Sequence, residues 1–146
     1  MQTVKYIKLN DKAVVPTYST VSSAGADLYA CMGKSVSIAP GESVLIHTGI
    51  AMQIPEGLVG LIYARSGIAT KRGLAPANKV GVIDSDYRGE IMVCLHNHSS
   101  VTQEIADGER IAQLVLTPYI QASFEETDTL DETQRGEGGF GSTGKK

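Results

Sequence analysis

Tryptophan is absent from this 146-residue chain, phenylalanine occurs twice, and aromatic residues make up only 5% of it. Its core must therefore be aliphatic, and the apolar runs are rich in Val and Ile, which suits strands. Cysteine also occurs just twice, as Cys31 and Cys94. Two thiols make no disulfide framework, so both are expected to be small buried hydrophobes in a reducing compartment. No apolar run approaches the roughly 18 residues that cross a bilayer. The opening MQTVKYIKLN has no apolar h-region, so the expectation is a soluble, cytoplasmic protein without signal peptide or membrane contact. Strong charge is missing too, with a formal net of −3. That excludes the basic footprint of a general nucleic-acid binder. It leaves room for a polyphosphate ligand held by a few arginines, backbone amides and a metal ion.

The length suits one domain, and 42% hydrophobic residues can fill a core. Glycine is plentiful, and turn signals recur at Ser23-Ala-Gly25, Ala39-Pro-Gly-Glu42, Pro55-Glu-Gly57, Tyr87-Arg-Gly-Glu90 and Ala106-Asp-Gly-Glu109. Between them lie apolar segments of strand length at Val44–Ile50, Leu58–Tyr63, Ile91–His96 and Ile111–Leu116. This pattern predicts an all-β sandwich or barrel. One short helix is predicted over Ser66–Arg72, with Ser66 as N-cap and Gly73 as stop. Residues 1–120 form the expected core domain. Residues 121–146 form a polar, acidic arm and a flexible Gly-rich tail, in which residues 135–144 contain five glycines.

Several segments carry candidate chemistry. Arg65-Ser66-Gly67 would offer an anion a guanidinium, a hydroxyl and open backbone N–H groups at a helix start. Taken alone, the tripeptide reads as a surface turn with a capping serine. Asn78 to Gly89 reads as two strands around a polar tip, with Asp84 and Asp86 two apart and so facing one way if extended. A general base could be presented there, although Asp-rich turns are common. Asp27 lies among apolar residues and needs a partner, for which Arg110 is the candidate. His96 and His98 could share a strand face with Cys94. No third ligand stands near in sequence, so zinc is disfavoured. In the tail, Gly139-Phe-Gly141-Ser-Thr-Gly144 fits G-x-G-x-x-G, and Gly139 to Lys145 fits the start of a P-loop pattern. A Rossmann site needs a strand before and a helix after, and Lys146 stands where a P-loop needs Ser or Thr. What remains is a set of backbone amides, hydroxyls and Arg135 able to wrap a phosphate chain.

In this order the segments resemble the trimeric dUTPase family. The resemblance is carried by Ala24-Gly-Ala-Asp27-Leu-Tyr29, Ala64-Arg-Ser-Gly67, Gly81-Val-Ile-Asp-Ser-Asp-Tyr-Arg-Gly89, Gly108-Glu-Arg-Ile-Ala-Gln113-Leu and Arg135-Gly-Glu-Gly-Gly-Phe-Gly-Ser-Thr-Gly144. It implies a jelly roll, a homotrimer with composite active sites, and Mg²⁺-assisted hydrolysis of dUTP to dUMP and pyrophosphate. By the same resemblance, Asp84 is the catalytic base for a water aimed at the α-phosphorus. Arg65, Ser66, Gly67 and Gln113 are phosphate contacts. Asn78, Gly81, Val82 and Ile83 read uracil, Met92 adds a contact, and Tyr87 lies under deoxyribose. Arg135, Phe140, Gly141, Ser142 and Thr143 belong to a closing tail, with Phe140 stacking on the base. Asp27 and Gln113 would meet, through water, a Mg²⁺ held mainly by the triphosphate. Pro76 and the run His96-Asn97-His98 depart modestly from the family pattern. The competing readings are a dCTP deaminase-like enzyme of the same fold and a non-catalytic nucleotide-binding jelly roll.

Overall fold

The computed structural model describes residues 2–139, and everything structural below refers to these. The strands are β1 (Lys5–Lys8), β2 (Thr17–Tyr18), β3 (Gly25–Tyr29), β4 (Val36–Ile38), β5 (Ser43–Gln53) and β6 (Leu58–Tyr63). After helix α1 (Ser66–Arg72) come β7 (Leu74–Pro76), β8 (Gly81–Ile83), β9 (Glu90–Asn97), β10 (Gln103–Ile105) and β11 (Arg110–Pro118). They form a four-stranded sheet in the order β1-β5-β9-β7, a five-stranded sheet β2-β3-β11-β6-β8, and a β10-β4 pair. All pairings are antiparallel.

Side-chain alternation makes two of these sheets the walls of one core. Along β9, Ile91, Val93 and Leu95 point inward while Glu90, Met92 and Cys94 are only part-buried. They pack in one cluster with Ile46 and Ile50 of β5 and with Leu28, Ile62, Ile111 and Leu114 of the five-stranded sheet. Fully burying an aliphatic side chain of this size contributes about 1.5–3 kcal/mol, so the aromatic shortage costs the core little. Three polar residues share the interior, Asp27, Thr48 and Asn97. Asn97 is fully buried, donating from Nδ2 to Ile38 O (2.9 Å) and Val101 O (2.8 Å), and accepting at Oδ1 from Ser99 N–H (2.9 Å) and Ser99 Oγ (2.7 Å).

The predicted helix has the observed bounds, but its cap differs. Arg65 occupies the N-cap position without a side-chain cap bond, and Ser66 is the first helical residue. Gly73 ends the helix in the left-handed region at φ 66°, where a glycine is favoured. The segment from Asn78 to Gly89 also differs from expectation. β8 pairs with β6 and β9 with β5 and β7, so the two flanking strands lie in different sheets. Asp84, Ser85 and Asp86 form a turn closed by Tyr87 N–H to Asp84 O (3.2 Å), so strand alternation does not set their directions. Pro76 sits in β7, at the sheet edge, where a missing N–H is tolerated. Both cysteines are free and half-buried rather than fully buried.

Candidate active site

β11 is the organising strand. Its Gln113 pairs in register with Asp27 of β3 on one side and Tyr63 of β6 on the other. Two residues beyond Tyr63 the chain reaches Arg65, so three motifs far apart in sequence converge. Asp27 is 6% exposed, and such a carboxylate is costly to bury without partners. Arg65 Nε–H donates to Oδ1 at 2.7 Å, Arg110 NH1 to Oδ2 at 3.2 Å, and Ser19 Oγ to Oδ2 at 3.4 Å. The expected Arg110 partner is present, together with Arg65, which sequence reasoning did not assign to Asp27. Because only Nε of Arg65 is committed, the N–H groups of its terminal nitrogens remain to bind an anion. Gln113 donates from Nε2 to Ala64 O (2.9 Å), which turns its Oε1 toward Gly25. Ser19, Ser23, Arg65, Ser66, Gly67 and Gln113 thus front one cleft of about 480 Å³, with Gly25 and Asp27 also in its lining.

A second cavity, about 230 Å³, lies between the end of β8 and the outer face of the four-stranded sheet. Leu45, Val82, Ile83, Asp84, Tyr87, Glu90 and Met92 line it. Tyr87 folds back over Gly89 and donates its hydroxyl to Glu90 O at 2.9 Å. A Cβ at Gly89 would stand 2.4 Å from the Tyr87 oxygen, so the fold-back requires glycine there. The exposed Asp84 also borders a larger cleft of about 860 Å³, together with Ser85, Asp86 and Arg88.

One chain therefore unites Asp27, Arg65, Ser66, Gly67 and Gln113, and separately Val82, Ile83, Asp84, Tyr87 and Met92. The two cavities share no lining residue. Asn78 is exposed in the turn before β8, and Gly81 packs against Ile62. Arg135 is exposed, with Nε donating to Gly138 O at 2.7 Å. Phe140, Gly141, Ser142 and Thr143 lie outside the described residues. Sequence reasoning missed Ser19, Leu45 and Glu90, read Ser23 only as a turn, and placed Gly25 in a turn and in the motif around Asp27 without a site role. The histidines take other partners: His96 Nδ1 bonds Ser43 Oγ (2.9 Å), and its ring meets that of His98 edge-on at 4.3 Å between centroids. Desolvation, then the neighbouring His96, holds the proton affinity of His98 below the ordinary histidine value. Burial, followed by the charges of Asp107 and Glu90, pushes the Cys31 thiol up.

The dUTPase family model matches residues 11–144. This chain belongs to the dUTPase family. The deoxyuridine 5'-triphosphate nucleotidohydrolase of Desulfitobacterium hafniense is 49% identical over 142 residues, covering 97% of this chain and 94% of the relative. Among solved structures, the Staphylococcus bacteriophage 80alpha dUTPase with dUPNHPP superposes with a TM-score of 0.89 at 28% identity, covering 99% of both chains. A mutant dUTPase from phage phi11 of S. aureus, described for its structural Mg(II) ion, has a TM-score of 0.79 at 25% identity and covers 88% of this chain and 98% of its own. The fold is accordingly the dUTPase jelly roll.

Proposed function

We propose that the protein hydrolyses dUTP to dUMP and pyrophosphate, with the 480 Å³ cleft taking the phosphates and the 230 Å³ cavity the nucleoside. The observation that carries this reading is the convergence of Arg65, Ser66, Gly67 and Gln113 on one cleft. Asp27 fixes the Arg65 guanidinium through Nε, so the donors that face phosphate need no reorganisation. Asp84 is the general base, orienting and deprotonating a water aimed in line at the α-phosphorus. β8 ends its sheet, so its outer N–H and C=O groups have no strand partner and suit the uracil edge. The Tyr87 ring lies under the sugar and rejects a ribose 2′-hydroxyl. Arg135 and the tail bearing Phe140, Gly141, Ser142 and Thr143 close over the nucleotide, and Asn78 with the Gly81–Ile83 backbone reads the base.

The donor set fits a magnesium ion carried chiefly by the substrate. Both oxygens of Asp27 already accept from guanidinium groups. The described residues hold no cluster of three or more His, Cys, Asp or Glu side chains that could hold a metal. Asp27 and Gln113 Oε1 would then reach the ion through its waters. Bound there, Mg²⁺ neutralises charge on the departing pyrophosphate.

The separation of the two cavities in one chain supports a homotrimer whose complete site joins the cleft of one subunit to the cavity of another. Release of pyrophosphate from dUTP tests the activity. Asp84→Asn should bind dUTP yet lose at least about 10²-fold in kcat; near-normal turnover in the folded variant removes Asp84 from the base role. Ammonia from dCTP would instead favour the deaminase reading.

A further inference from the structure

The nucleoside cavity contains one charged side chain with no part in the chemistry above. Glu90 opens β9, and its side chain is 20% exposed. Both of its carboxylate oxygens are occupied: Oε2 accepts from His47 Nδ1 at 2.8 Å, and Oε1 from Gly49 N–H at 2.7 Å. These donors flank an irregularity in β5. The ladder is regular up to His47 opposite Met92 and resumes at Ala51 opposite Glu90. Three residues of β5 thus face the single residue Ile91. Such a bulge leaves backbone groups unpaired and bends the strand. Here Gly49 takes φ 67°, and a Cβ on it would meet Ala13 Cβ at 2.8 Å, so the bulge requires glycine at this position. Thr48 Oγ1 donates to Ile91 O at 2.6 Å and accepts from Ile50 N–H at 3.3 Å, and the Glu90 carboxylate accepts from Gly49 N–H.

The same residue supports the cavity. Glu90 O receives the Tyr87 hydroxyl, and Met92 lies two residues on, on the same face. His47 and Leu45 project from that face on the neighbouring strand, opposite Met92 and Cys94. Glu90 therefore links an exposed imidazole, held by its carboxylate, to the ring beneath the proposed sugar position, held by its main-chain carbonyl. We infer that Glu90 and His47 are a positioning pair for the nucleoside cavity: they pin the β5 bulge and, through Glu90, the placement of Tyr87 and Met92. This inference rests on the reading of that cavity as the nucleoside site.

Removing the pair should loosen nucleoside placement while leaving Asp84 and the phosphate cleft in place. For His47→Ala, the KM for dUTP should rise about tenfold, the range expected when a hydrogen bond to a charged group is lost, with kcat within about twofold. The preference for dUTP over UTP should fall in parallel. His47→Asn, whose Nδ2 can stand in for Nδ1 as donor to Glu90, should recover most of both. Glu90→Gln, which turns an amide N–H against one of the two donors, should repeat the KM rise. It serves as the decisive variant if His47→Ala does not fold. Tyr87→Ala is measured alongside. If it alters the dUTP/UTP ratio while His47→Ala and Glu90→Gln leave KM and ratio unchanged, the cavity is the nucleoside site but the pair does not position it. Equal defects in His47→Ala and His47→Asn would also overturn the pair, since the donor would then be irrelevant. An unaltered ratio in Tyr87→Ala overturns the cavity assignment and the inference with it.

Discussion

Gly25 shows how much of the site depends on an atom that is not there. A Cβ at this position would fall 2.5 Å from Gln113 Oε1. Gly25→Ala must displace the amide that stands between the two motifs flanking β11, though the strand itself tolerates alanine. We expect kcat/KM for dUTP to drop by about 10–100-fold, the equivalent of one charge-linked hydrogen bond, with the urea midpoint nearly unchanged. Steady-state kinetics and urea unfolding on the same preparation check both halves. Cys31 offers a test of a different kind. Its raised thiol pKa means less thiolate at neutral pH than an ordinary cysteine carries. Iodoacetamide should label it slowly at pH 7, and faster only as pH rises beyond the usual thiol range. The sign for stability follows: the unfolded thiol ionises first, so the contribution of Cys31 holds at neutral pH and is lost on going alkaline.

Helix α1 sets stability and function against each other at one position. Gly67 lies in its first turn, and a Cβ there would meet nothing within 4 Å. Gly67→Ala should therefore stabilise the fold by up to about 1 kcal/mol while projecting a methyl into the cleft lined by Arg65 and Gln113 and raising KM. A variant that gains thermal stability and keeps its KM would show that no ligand approaches this backbone. Next to the C-terminal end of that helix, Asn97→Ala should cost at least about 2 kcal/mol, because it orphans the buried Ile38 carbonyl and removes the part-buried bonds to Val101 O and Ser99 N–H; chemical denaturation measures it. Much of this element scale was legible beforehand. Leu58–Tyr63 and Ser66–Arg72 were readable because Gly57 and Gly73 punctuate them. β2, β4 and β10 were not, since two or three residues carry no period. The Asp27–Arg110 pair was legible because a buried carboxylate demands a cation, but Arg65 lies 38 residues away with nothing in the pattern to link it to Asp27. The sheet change between β8 and β9 was hidden because neighbouring strands ordinarily pair with each other.

For the whole molecule, the separation of the two cavities makes an assembly prediction. Asp84→Asn and Arg65→Ala chains should each be nearly inactive alone. Refolded together, they should recover activity, since about a quarter of randomly formed subunit junctions would pair an intact Asp84 with an intact Arg65. Mixed trimers that form, as verified by native mass spectrometry, yet stay dead would mean that each chain completes its own site. The sheet change at residues 84–89 has a mechanical consequence. Asp84 is carried on a seam, anchored on one side through β8 to the five-stranded wall and on the other through β9 to the four-stranded wall. Any breathing of one wall against the other moves the Asp84 carboxylate relative to the Tyr87 ring before a single ladder opens. The machine should thus go out of tune before it comes apart: mild urea or hydrostatic pressure should lower turnover while the far-ultraviolet dichroism of the strands is still intact.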